Sequence, residues 1–131
     1  MSGGGGTWED SLGAARAVAA GDRVLVSGTA PLADDGGVSA TDEAYEQTRA
    51  AFTEAVAALE PFGVGAEAVI RTRMYLSHVR DVEEVARAHR ELFAAVRPVS
   101  TVVVTAGFVD PRVLVTVELE AYRGSERSEA S

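Results

Sequence analysis

Two residue types with much of the reactive chemistry of proteins are missing from this chain of 131 residues: it has no cysteine and no lysine. Their absence excludes disulfides, thiolate nucleophiles, cysteine metal ligands and lysine Schiff bases, and leaves the N-terminal amine as the one amine for imine chemistry. Histidine is scarce as well. His78 and His89 are eleven positions apart, without an HxxxH spacing, so a metal site is not expected. No apolar run approaches the length of a membrane span and no secretory leader opens the chain, so the expectation is a cytoplasmic protein with no membrane partner. A P-loop, a GxGxxG turn and a GxSxG elbow are also lacking.

What is present is an alanine- and valine-rich chain whose basic residues are all arginine, with a formal net charge of -8. That balance repels an extended polyanion, and the twelve arginines are scattered rather than gathered into a stripe, so no nucleic-acid partner is expected. The length suits one domain with a small core. The opening MSGGGG (1–6) and the closing RGSERSEAS (123–131) read as frayed tails, which leaves a single domain over 7–122.

Hydrophobic periodicity orders that domain. AARAVAAGDRVLVSGTA predicts a hairpin turning at Gly21-Asp22, and PLADDGGVSAT a loop. Over 42–59, Tyr45, Thr48, Phe52, Ala55, Val56 and Leu59 recur at helical spacing, with Ser39 or Thr41 as cap and Pro61 and Gly63 as stop. AVIRTRMYLSH predicts a strand with Ile70, Thr72, Met74 and Leu76 on one face and Val69, Arg71, Arg73 and Tyr75 on the other. Asp81 and Glu84 match a capping box, before a second helix that buries Val82, Val85, His89, Leu92 and Val96. Two strands, 101–105 and 114–122, close the domain across a turn at Asp110-Pro111. Two helices cover one face of such a sheet. Val69 and Leu114, apolar among polar neighbours, suggest that the other face is covered by self-association.

The pieces AVAAGDRVLVSGTAPL, the glutamine of YEQTRAAF, VIRTRMYLSHVRDVEEVARAH and RPVSTVVVTAGFVDPRVLVTVELEAY together resemble the reactive intermediate/imine deaminase family, also called the YjgF family, in order and with similar spacing. The resemblance implies an α+β, chorismate-mutase-like fold: a mixed sheet with two helices on one face, assembled as a homotrimer whose sheets line a central barrel. Small-molecule clefts then lie between subunits. It also implies hydrolysis of enamines and imines to 2-keto acids and ammonia by a held water, with no cofactor. Ser27 and Gly28 match the family's strand-end serine-glycine, and Glu118 matches its acidic residue for water positioning or proton transfer. Ser100 stands where a carboxylate-gripping arginine is usual, Val102 where a cysteine is common, and Ala14 or Ala15 where a tyrosine is expected. Losing a bidentate guanidinium–carboxylate pair costs about two decades or more of affinity or rate.

These matches set the expectations. Glu118 is the catalytic candidate, and Ser27, Gly28, Ser100 and Thr101 are the substrate-binding candidates. Arg97, Arg73, His89 and Glu120 are further possibilities, with Arg71 and Arg16 as other sources of a cation. The plainer alternatives are that Glu118 and Glu120 pair with Arg71 and Arg73, that His89 is a satisfied core or interface histidine, and that Gly28 admits a close backbone. Ser27 or Ser100 is a nucleophile only with a base beside it. The expected function is a trimeric small-molecule enzyme acting on an imine, enamine or activated carbonyl compound, in a branch without the arginine-dependent deaminase mechanism. The rivals are a non-catalytic binding trimer and, against the acidic charge, a ribonuclease.

Overall fold

Strict alternation in the last strand sets the frame. Along β5 (Val115–Tyr122) every odd position is buried and every even one half-exposed, so Val115, Val117, Leu119 and Ala121 form the floor of the core. The structure, a computed structural model, describes residues 8–31 and 42–130. Around β5 stand β1 (Ala17–Ala20), β2 (Arg23–Thr29), β3 (Val69–Leu76) and β4 (Val99–Val104) in the order β1-β2-β5-β3-β4. All pairs are antiparallel except β3 with β4, which makes the sheet mixed. The β1–β2 hairpin turns at Gly21, whose φ of 58° is open to glycine at little cost. A short helix that periodicity does not announce, α1 (Trp8–Leu12), precedes it.

Helices α2 (Ala44–Ala57) and α3 (Val82–Phe93) lie on the odd face of β5. Phe52, Leu59, Val85 and Phe93 pack there against Val24, Met74, Leu76 and Val117, each buried side chain contributing about 1.5–3 kcal/mol relative to exposure. A 3₁₀ turn over Glu60–Phe62 follows α2, and Gly63 ends it in the left-handed conformation at φ 82°. The expected caps Ser39 and Thr41, with most of the 31–41 loop and the N-terminal tail, lie outside the described residues.

Several expectations need correction. Val69 is fully buried, because the register with β5 slips between Val69 and Arg71. A bulge at this point turns Val69 toward the helices beside Ala121, so it offers no evidence for an uncovered face. The capping box does not form: Asp81 makes no side-chain cap bond, and Glu84 Oε1 instead accepts the backbone N–H of Tyr45 at 3.2 Å. Tyr45 stays at the α2–α3 seam, its phenol donating to Glu91 and its ring 3.8 Å beneath the Arg87 guanidinium. The tail beyond β5 lacks regular structure, yet Arg127 ties it down by donating to the carbonyls of Val69 at 3.0 Å and Arg97 at 3.2 Å.

Gln47 is fully buried. Its Nε2 donates to the Arg112 carbonyl at 2.9 Å, and its Oε1 accepts the Leu114 N–H at 2.8 Å. One side chain thus clamps α2 to the entry of β5.

Candidate active site

Among the described residues no element covers the sheet face away from the helices, and period-two alternation builds a polar row across it. Arg73 is opposite both Thr101 of β4 and Glu118 of β5. On the far side of Glu118, β2 breaks register between Val26 and Thr29, which sets the Ser27-Gly28 bulge beside the carboxylate. Thr101, Arg73, Glu118, Ser27 and Gly28 therefore share one row. A second row runs Val99, Arg71, Glu120, Leu25, Val18.

Glu118 Oε1 accepts the Tyr75 phenol at 3.1 Å and Arg73 Nη1 at 3.4 Å. Glu120 is held from two sides, by Arg71 Nε at 3.6 Å and by Arg23 Nη1. The predicted pairing of both glutamates with Arg71 and Arg73 is therefore present. The two carboxylates differ in access: the Glu118 side chain is 34 % exposed and that of Glu120 12 %. Glu120 is a locked structural charge, whereas Glu118 is both held and reachable. Desolvation first, and the hydrogen bond to Glu118 second, push the Tyr75 phenol above its ordinary value, so it stays a protonated donor at neutral pH. Alternation puts Tyr75 on the Glu118 face, but only the β3–β5 register shows that its hydroxyl reaches the carboxylate.

Arg16, Val18, Leu25, Ser27, Arg71, Arg73, Glu118 and Glu120 line a cleft of about 370 Å³. Ser27 Oγ is buried there with no hydrogen-bond partner among the described residues, an unpaired acceptor and donor beside the carboxylate. A Cβ at Gly28 meets no atom within 4 Å, so no approach within the protomer requires glycine there. A second cleft of about 320 Å³, between α2 and α3, is walled by Phe52, Val56, Leu92 and Phe93, with Glu60 as its one titratable group.

Three sequence candidates lie elsewhere. Ser100 is one residue from Thr101 and so faces the helix side, where its Oγ lies 2.7 Å from Thr72 Oγ1. Within the protomer it does not join Glu118. Arg97 takes a left-handed backbone at φ 59° after α3 and pairs with Glu129 at 3.7 Å, outside the cleft. His89 packs its ring 5.5 Å from Phe52 and 4.9 Å from Phe93, with Nε2 2.8 Å from Thr72 Oγ1, as a satisfied core histidine does. Among the described residues no group of three His, Asp or Glu is placed to hold a metal, and no helix is long and apolar enough to cross a membrane.

Burial lowers the His89 pKa below its usual 6.5. The unfolded chain then binds that proton more readily. Stability present above about pH 6.5 is lost as pH falls through the folded value. Urea midpoints should accordingly drop between about pH 7.5 and about pH 5, and the drop should shrink in a His89→Gln protein. Equal drops in the two proteins contradict the assignment.

Comparison with known proteins now decides the family. The model of endoribonuclease L-PSP matches residues 14–123, which takes in both rows and the whole sheet. The chain belongs to the YjgF, or endoribonuclease L-PSP, family. Within it, the uncharacterized protein SCO2049 of Streptomyces coelicolor is 57 % identical over 121 residues, covering 92 % of this chain and 90 % of its own. Rv2704 of Mycobacterium tuberculosis, a member of the YjgF/YER057c/UK114 family, superposes with a TM-score of 0.78 at 32 % identity, over 88 % of this chain and 91 % of its own. The YjgF gene product of E. coli shares the fold, with a TM-score of 0.75 at 21 % identity over 83 % of this chain and 87 % of its own. The YjgF-family fold is thus the α+β arrangement expected: a mixed sheet with two helices on one face.

Proposed function

We propose that this YjgF-family chain is a small-molecule enzyme that hydrolyses an imine, enamine or similarly activated carbonyl compound in the cleft at Glu118, and that the cleft is completed by self-association into a homotrimer. The observation that carries the reading is the reachable Glu118 carboxylate, held by Tyr75 and Arg73 beside the unpaired hydroxyl of Ser27. Held so, Glu118 accepts a proton from a water molecule as that water adds to the C=N carbon. It then returns the proton to nitrogen, and the resulting carbinolamine collapses to a carbonyl compound and ammonia. Tyr75 steadies the carboxylate, and Ser27 and Thr101 line the substrate's path. The reading calls for no cofactor and suits an enzyme of the cytoplasm.

The apolar residues Val18, Leu25, Val99 and Val103 are exposed on the same face. Together they are a patch of the kind that monomers rarely leave bare. Copies of the chain joined there, with their sheets lining a common barrel, would cover it and wall the cleft. Arg71 and Arg73 are already engaged by Glu120 and Glu118, Arg16 donates to the Glu54 carbonyl at 3.3 Å, and position 100 carries serine. The preferred substrate is therefore less acidic or larger than a short amino-acid-derived imine. The test is ammonia release from a panel of enzymatically generated imines, 2-iminopropionate and bulkier neutral analogues. Release above the buffer rate for at least one bulky neutral member is expected; buffer rates throughout contradict catalysis.

The ion pairing of Glu118 favours one other reading, a ligand-binding trimer without chemistry. It predicts saturable binding of the same compounds without turnover. RNA cleavage is not favoured, because the open face pairs its arginines with glutamates and the chain is acidic.

A further inference from the structure

On the helix side of the sheet, apart from Glu118, two hydroxyls and one imidazole close a triangle. Thr72 Oγ1 lies 2.7 Å from Ser100 Oγ and 2.8 Å from His89 Nε2, and Ser100 Oγ lies 3.3 Å from the same nitrogen. The corners differ in access: Thr72 is fully buried, His89 is half-buried between Phe52 and Phe93, and Ser100 is exposed on the edge strand. A serine that reaches solvent thus has a base beside it. Ser27, the other strand serine, has no imidazole beside it, and its hydroxyl makes no hydrogen bond among the described residues.

The backbone adds donors. Thr105 N–H bonds the Leu76 carbonyl at 2.7 Å. By the two-residue repeat of a parallel ladder, the amides of Thr101 and Val103 also turn toward β3, and those of Ser100 and Val102 line the free edge. Amides of this kind can hold the oxyanion of an adduct formed on Ser100. Val102 and Val104, exposed on the Ser100 side of the strand, provide an apolar bed next to it.

We propose that Ser100 is a hydroxyl nucleophile, with His89 as its base directly or through Thr72, toward esters or thioesters of small apolar acyl groups. The Ser100 Oγ–carbon bond forms as the carbon–oxygen or carbon–sulfur bond to the leaving group breaks. The hydroxyl proton passes to His89 Nε2 and on to the departing alkoxide or thiolate. Water then cleaves the Ser100 ester by the same proton route in reverse, releasing the acid. Neutral imidazole is required, and burial among Phe52 and Phe93 favours that form.

A fluorophosphonate probe tests this on the full chain. Attack by Ser100 forms an oxygen–phosphorus bond, expels fluoride and sends the proton to His89. Intact-mass and peptide mapping should show one adduct, on Ser100. Ser100→Ala, a change at an exposed site, should abolish it, and His89→Gln should slow labelling by about 10²-fold or more. A chain that stays unlabelled where a serine hydrolase control reacts fully overturns the proposal. So does an adduct on another residue, labelling that persists in S100A, or an H89Q protein that folds by circular dichroism and labels at the wild-type rate.

Discussion

Glu118→Gln is expected to lower turnover of the chain's substrate by about two to four decades, the usual contribution of a positioned acid–base group. Glutamine keeps the size of glutamate, and its amide oxygen still accepts the Tyr75 phenol that lies 3.1 Å from Oε1. It loses only the ability to take a proton, and with it the charge facing Arg73. That ion pair is partly solvated, at 34 % and 43 % side-chain exposure, so its removal costs about 0–1 kcal/mol of stability. The circular dichroism spectrum and the solution mass should match those of the unmodified chain. Ammonia release read beside them separates a chemical loss from a structural one. A variant that retains the full rate removes the carboxylate from the mechanism.

The second large effect lies far from the cleft. Gln47→Leu should destabilise the fold by about 1–3 kcal/mol, the cost of leaving the part-buried Leu114 N–H unsatisfied, since the Arg112 carbonyl belongs to an exposed residue. Leucine fills the volume of the glutamine, but it leaves the Leu114 N–H and the Arg112 carbonyl without the partners seen at 2.8 and 2.9 Å. Those groups enter β5, the strand that carries Glu118, so loosening this clamp also disturbs the cleft. Urea denaturation gives the number: a markedly lower midpoint with an unchanged slope is expected. A midpoint within experimental error of the unmodified chain contradicts the clamp.

How far such features are legible in the sequence depends on the range of the interaction that fixes them. The faces of β5 can be read from residue alternation alone, because one side is wholly apolar and the neighbours repeat the pattern. Both long helices follow from spacing, although α2 turns Ala44, Gln47 and Ala51 inward as well as the predicted Thr48, Phe52 and Ala55. Val69 is misread because a bulge leaves no mark on composition, and a one-residue slip reverses every side chain before it. Alternation alone puts Ser100 and Thr101 on opposite faces, but which of them shares the Glu118 face depends on the parallel pairing of β4 with β3, a contact across α3 that no local pattern encodes. The resemblance supplied Glu118, Ser27 and Gly28, which the fold sets side by side. Tyr75 and Thr72 emerged only once register and packing were known. Gln47 is visible as a matching residue but not as a clamp, since the Arg112 carbonyl and the Leu114 N–H that it holds are backbone groups more than sixty positions away.

The account turns on the bare sheet face, where apolar Val18, Leu25, Val99 and Val103 flank the row that holds Glu118. Light scattering coupled to size-exclusion chromatography, at micromolar chain concentration, tests it most directly. A single species of three times the chain mass is predicted. A folded species of one chain mass, stable on dilution, contradicts the account, because the cleft would then have no second wall.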